Sequence, residues 1–230
     1  MRDDEGERLN ATNSSVEMPA GFGASSMPLR PLFTVTGSTR AIEPTACLRP
    51  TGPLDPTFGA TAGLEGQMGP QLYIAPAAMR EIAKHIEWGI DTDENRVEQG
   101  GLLLGVPYHD PESGTVWSKV VCTVPATLGQ GSGTYLLLDH RAWKAMLDRI
   151  DSAEDGCADV AGLSVVGWYH THPGGLGVFM SGTDRGTQRH FFAEAWQFAI
   201  VLNPHRQIWG AFNGSEAAEC TAVVLSEATE

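Results

Sequence analysis

From Gln71 onward the chain alternates short apolar runs with amphipathic stretches, and this interleaving restricts its fold more than any other feature. Leu72-Tyr-Ile-Ala before Pro76 reads as a strand feeding a helix with proline in its first turn, and Met79, Ile82, Ala83 and Ile86 recur at helical spacing. Gly101-Leu-Leu-Leu-Gly105, the alternating stretch from Val116 to Val124 and Tyr135-Leu-Leu-Leu138 read as strands. Asp139 can cap a helix through about Ala153, with Trp143, Met146, Leu147 and Ile150 on one face. Leu163 to Tyr169 is a buried-type strand, and Ser181 opens a second polar-capped helix to about Ala193. Gln197 to Leu202, Gln207 to Ala211 and Glu219 to Leu225 close the chain as strands. Such interleaving predicts an α/β fold, a mixed β-sheet flanked by helices.

Residues 1–70 differ in kind. They show no sustained periodicity and are rich in Gly, Pro, Ser and Thr, as in Gly21-Phe-Gly-Ala-Ser-Ser and Pro50-Thr-Gly-Pro-Leu-Asp-Pro56. A segment of this composition buries too little to offset its ordering entropy, so it is expected to be a flexible or loosely attached extension, with a short strand at Leu32 to Val35. The expected division is therefore an extension, 1–70, and one domain, 71–230. A single core usually serves roughly 100 to 200 residues, which leaves no room for two large domains.

The net charge of -13 argues against phosphate-driven binding to nucleic acid and against an anionic membrane surface, and is compatible with a basic partner. Met1-Arg-Asp-Asp-Glu-Gly-Glu lacks a secretory start, and no run approaches the roughly 18 apolar residues of a membrane span. A cytoplasmic protein is expected. Cys47, Cys122, Cys157 and Cys220 contain no C-x-x-C pair and are read as free thiols.

The chemistry-bearing stretch is Gly167-Trp-Tyr-His170-Thr-His172-Pro173, followed by Ser181-Gly-Thr-Asp184. Residues i and i+2 of a strand share a face, so His170 and His172 can present both imidazoles to one ion. Pro173 ends the strand, the glycines after it can turn the chain back, and Asp184 can add an oxygen. Two histidines and a carboxylate with one position open is a catalytic rather than a structural zinc set. Ser181 and Asp184 have a second use, as caps of the helix they open. Three other H-x-H families do not fit. Metallo-β-lactamase-like sites continue H-x-H-x-D-H, cupin sites want a glutamate before Glu194, and zinc deaminases need a later P-C-x-x-C. No G-x-S-x-G marks a serine hydrolase, and Gly129-Gln-Gly-Ser-Gly133 lacks the lysine and helix start of a phosphate loop, so it is read as a flexible connection.

Together these elements resemble the JAMM/MPN metalloprotease family, whose motif is an upstream glutamate, H-[ST]-H-P, a loop and S-x-x-D. Glu98-Gln-Gly-Gly-Leu-Leu-Leu-Gly105 resembles the family's glutamate and strand opening, and Trp196-Gln-Phe-Ala-Ile-Val-Leu-Asn-Pro204 its strand after the helix. The resemblance spans residues 71–225. It implies the JAMM/MPN, cytidine-deaminase-like architecture, one Zn2+ per chain held by His170, His172 and Asp184, Glu98 as general base, and Ser181 as the donor to an oxyanion. The loop 173–180 is one residue longer than the family usually has, and its path over the site is expected to differ.

By the same resemblance the chain is expected to cleave an isopeptide or peptide bond, removing or processing ubiquitin or a ubiquitin-like protein. Its partners would be that protein or its conjugate, with activating or conjugating enzymes of the same pathway. The compact domain and acidic leader look like the bacterial type. A non-catalytic MPN scaffold and a peptide or small-molecule amidase are the alternatives. His85, His109, His140, His190 and His205 lack ligand-like spacing and are read as structural, and Trp168 and Trp196 as core.

Overall fold

The computed structural model describes residues 42–61, 69–128, 130–132, 135–137, 140–152 and 162–227. In chain order the elements are β1 (Thr45–Ala46), β2 (Leu72–Ile74), α1 (Pro76–His85), β3 (Gly100–His109), β4 (Val116–Pro125), β5 (Gln130–Ser132), β6 (Tyr135–Leu137), α2 (His140–Ser152), β7 (Ser164–Thr171), α3 (Gly182–Phe191), β8 (Phe198–Asn203), β9 (Ile208–Asn213), β10 (Ala218–Cys220) and β11 (Ala222–Val224). The main sheet runs β10-β9-β8-β7-β3-β4-β2-β11, with β1 beside β3. Pairs β7–β8, β2–β4, β2–β11 and β1–β3 are parallel and the rest antiparallel, so the sheet is mixed, as the interleaved pattern predicts.

β10 and β11 stand at opposite ends of the strand order, yet only Thr221 separates them in sequence. The sheet must therefore curl until its edges nearly meet. Alternation along each strand then gives two apolar faces. Leu103, Tyr169, Phe198, Ile200 and Leu202 pack with Ala78, Met79 and Ile82 of α1. Leu102, Leu104, Trp168, Ala199 and Val201 pack on the other face with Met146 of α2 and with Phe192 just past α3. Burial on both faces explains why the central strands read as continuous apolar runs.

Several features depart from the sequence-based expectations. Residues 42–61, upstream of the expected domain start at 71, lie on the fold. β1 pairs with the end of β3, Leu54 and Ala60 bridge to Leu225 and Val223, and Phe58 packs against the α1-side core. Their composition hid this, because the backbone is held by partners remote in sequence: the Trp117 indole donates to the Cys47 carbonyl at 3.2 Å and the Trp209 indole to that of Phe58 at 3.1 Å. Gln130–Ser132, read as part of a flexible connection, is instead a strand paired with β6. Cys122 is disulfide-bonded rather than a free thiol, whereas Cys47 and Cys220 are free. The expected strand at Leu32 to Val35, the Asp139 cap and the helix end at Ala153 lie outside the described residues. Among the described residues no helix is long and apolar enough to cross a membrane.

Candidate functional site

The site is built where β7 leaves the sheet. His170 and His172 lie on one face of the strand end, with ring centroids 5.1 Å apart. The strand is held on both sides there. The His172 N–H donates to the Leu202 carbonyl of β8 at 2.8 Å, and Gly100 of β3 stands opposite His170 in the antiparallel register. One residue further out, the Thr171 N–H donates to the Gln99 carbonyl and the Gln99 N–H to Thr171 Oγ1, both at 2.8 Å. Extending this register sets Glu98 opposite His172, and opposed residues of an antiparallel pair share a face. The two strands lie so close that a Cβ on Gly100 would come within 2.5 Å of the Tyr169 carbonyl oxygen, so only glycine serves at that position.

Asp184 enters from the first turn of α3. Ser181 is the N-cap: its Oγ accepts from the Asp184 N–H at 3.2 Å, and the Ser181 N–H donates to Asp184 Oδ2 at 2.7 Å, a reciprocal capping box. The same Oδ2 lies 3.4 Å from His170 Nε2 and 3.7 Å from His172 Nε2. Capping and convergence on the histidines are therefore not alternatives, because one carboxylate oxygen does both. Ligand atoms of His170, His172 and Asp184 lie within 4.8 Å of one another, and all three side chains are buried.

Several observations fit these residues to a metal ion. Neither ring nitrogen of His170 has a hydrogen-bond partner although the residue is wholly buried, and an unsatisfied pair of this kind is costly in an apolar setting. The 3.4 Å approach to Asp184 lacks the alignment of a hydrogen bond. Burial pushes the His170 pKa down, which keeps the ring neutral and able to donate a lone pair. Its plane is set by stacking on Trp168, centroids 4.5 Å apart at 13°, and the Trp168 indole donates to Gln188 Oε1 at 2.8 Å. His172 Nδ1 meets the Gly177 carbonyl at 2.9 Å; a carbonyl only accepts, so Nδ1 carries a proton and, in the neutral ring, Nε2 is left as the free ligand. Burial opposes ionisation of Asp184, but the two imidazoles and Ser181 outweigh it and hold the carboxyl well below the usual range.

Glu98 is buried beside this group. Burial, opposed by His172 and reinforced by the negative charge of Asp184, pushes its pKa up to about 7, and the Leu136 backbone, in β6, hydrogen-bonds the carboxylate. The contact comes from β6, read as a strand from its sequence; a hydrogen bond through its backbone leaves no trace in side-chain pattern. Half-exposed Phe179 lies edge-on to His172, centroids 4.7 Å apart. His85 faces the Tyr169 hydroxyl at 2.9 Å on the opposite side of the sheet, and His190 Nδ1 meets its own helix at the Gly186 carbonyl. Neither they nor His205 belong to the group that could hold a metal.

No protein-family model matches the chain. Over 142 residues, 61% of its length, it is 32% identical to the 26S proteasome non-ATPase regulatory subunit 14 of Drosophila melanogaster, of which it covers 40%. Over 158 residues, 67% of its length, it is 30% identical to the subunit of the same name from Caenorhabditis elegans, of which it covers 45%. The chain thus spans less than half the length of these curated relatives. Both are animal proteins, so the similarity lends nothing to the bacterial type inferred from compactness and an acidic leader, neither of which is specific to bacteria.

Proposed function

We propose that the chain is a zinc-dependent hydrolase of the JAMM/MPN type that cleaves an isopeptide or peptide bond, acting on ubiquitin or a ubiquitin-like protein. The observation that carries this reading is the wholly buried His170, both of whose nitrogens lack partners, facing His172 and Asp184 with Glu98 alongside. The similarity to proteasome subunits supports the family and a ubiquitin-related substrate.

His170, His172 and Asp184 would hold the ion through the atoms that already converge. Zinc bound there supplies Lewis acidity and makes water acidic enough to react near neutral pH. The remaining work falls to the chain itself. Glu98 accepts a proton from the attacking water and returns it to the leaving amine, a role suited by a carboxyl whose affinity for protons is raised toward neutrality. Ser181 uses an oxygen lone pair to cap Asp184, which leaves its hydroxyl hydrogen to donate to the developing oxyanion. A buried, ionisable Glu98 beside the three converging side chains favours catalysis over a non-catalytic scaffold.

The test is Glu98→Gln. Metal analysis of the variant should give about one zinc per chain, while hydrolysis of a ubiquitin-like C-terminal amide and of a lysine-linked conjugate is lost. Parent-like turnover by the variant would remove Glu98 from the mechanism. A short peptide amide cleaved as fast as the conjugate would transfer the reading to an amidase.

A further inference from the structure

The loop after His172 presents a physical difficulty. Gly174, Gly175 and Gly177 lie within four residues, and ordering such a segment costs more conformational entropy than any other composition. Nevertheless the Gly177 carbonyl must sit 2.9 Å from His172 Nδ1 if it is to fix that ring. Something outside the loop has to hold it.

The turn between β8 and β9 does so. Asn203, wholly buried at the end of β8, donates through Nδ2 to the Gly174 carbonyl at 2.9 Å and to the Leu176 carbonyl at 2.8 Å. The second of these belongs to the peptide unit that begins Gly177. Its Oδ1 accepts from the Arg206 N–H at 2.8 Å, which fixes the orientation of the amide. Two further contacts brace the loop: the Arg206 guanidinium donates to the Leu176 carbonyl at 3.3 Å, and His205 Nδ1 accepts from the Gly174 N–H at 2.9 Å. His205 Nε2 in turn donates to Asn95 Oδ1 at 3.0 Å, three residues before Glu98, so one turn connects to both chain segments that bring groups to the site.

We infer that Asn203 is a positioning residue for His172: by clamping the Gly174–Leu176 carbonyls it sets the Gly177 acceptor, and through it the tautomer that leaves His172 Nε2 free. Asn203 itself touches none of the ligand atoms. The inference rests on the reading of His170, His172 and Asp184 as a zinc site for its consequence, though the tautomer can be read without metal. It also explains how a glycine-rich loop keeps the histidine in register.

Asn203→Asp separates the roles of the side chain, since a carboxylate keeps the acceptor for Arg206 N–H and loses both donors to the loop. Long-range 1H–15N spectra of the metal-free protein, taken where the His172 ring is neutral, should show its proton on Nδ1 in the parent and on Nε2 in N203D. Zinc competition against a chelator should give affinity 10- to 100-fold weaker in the folded variant, the range expected on losing an outer partner of a metal-ligating histidine. A folded N203D with the parent tautomer and parent affinity overturns the inference. If N203D does not fold, the milder Asn203→Ser decides: its shorter side chain cannot reach both the Gly174 and Leu176 carbonyls, so zinc should bind several-fold more weakly, and unchanged tautomer and affinity overturn the clamp. If the parent binds no zinc while N203D shifts the tautomer, the zinc reading fails and the positioning role stands.

Discussion

Gln99 and Thr171 exchange two hydrogen bonds, backbone N–H of Thr171 to the Gln99 carbonyl and backbone N–H of Gln99 to Thr171 Oγ1, each 2.8 Å long. The pair joins the segment that carries Glu98 to the strand that carries His170 and His172, so it sets how far the proposed base stands from the proposed ligands. Thr171→Val keeps the branched shape and removes the acceptor for the Gln99 N–H. The expected cost is about 1 to 3 kcal/mol of stability, seen as a lower denaturation midpoint, together with a fall in turnover larger than the fall in zinc content.

The pH dependence of the metal-free protein should report on Glu98. Its folded pKa is raised from 4.5 to about 7, so the folded state binds the proton more tightly than the unfolded chain. The contribution is complete below about 4.5 and is lost as pH rises through about 7. Thermal unfolding of chelator-treated protein should weaken by up to about 3 kcal/mol over that window, and Glu98→Gln should flatten this part of the profile. An unchanged profile in the variant would show that another group is responsible.

Metal removal should itself destabilise, because an ion that binds only the folded state adds RT ln(1 + [L]/Kd), about 2.7 kcal/mol at a hundredfold excess over Kd. The denaturation temperature should drop on chelation and recover on adding zinc. His170→Ala should abolish that response, since it deletes a buried ligand atom; a retained zinc-dependent shift would exclude His170 from the site.

Gln188 has a comparable supporting place. It is wholly buried, accepts from the Trp168 indole at 2.8 Å, and donates to the Phe192 carbonyl at 2.8 Å. Gln188→Leu leaves a buried indole N–H and a carbonyl without their partner and should cost about 2 to 4 kcal/mol. Because Trp168 carries the His170 ring, the absorption spectrum of a cobalt-substituted protein should change as well, which would not follow from a purely structural loss.

At the far end of β3, Asp110 joins Arg49, at 3.0 Å, to the hairpin that leads into β4. A hydrogen bond from Ser113, outweighing the opposing effect of burial, and further contacts with the Glu112 N–H and Arg49 hold its carboxyl below the usual range. A depressed carboxyl contributes stability above its unfolded pKa and loses it as pH falls through the folded one. Asp110→Asn should therefore lower stability near neutrality and flatten the acid side of the unfolding profile; an unaltered acid side would show that the link to residues 42–61 does not depend on this charge.

Much of the site could be read in advance because its geometry is local. His170 and His172 share a face by the period of a strand, and Ser181 and Asp184 meet by the geometry of a helix start, both set by dihedrals within a few residues. Glu98 was accessible only through its resemblance to a motif, since nothing near residue 98 indicates which strand will lie opposite. Spacing reads His205 as structural, and it is not among the converging atoms; its bonds to Gly174 and Asn95 join positions that no spacing rule links.

The amino-acid order by itself determined the helices and the central strands, the alternation that buries the sheet on both faces, and the paired histidines with their capped aspartate, because each depends on backbone periods repeated within one segment. The tertiary structure decided the rest: that Gln99 meets Thr171, that Asn203 grips the glycine loop, that residues 42–61 lie on the fold, and that β10 and β11 part to opposite edges around Thr221. These are contacts between positions far apart in sequence, whose partners are chosen by register and by the demand that buried polar groups be satisfied, and neither is written in any one segment.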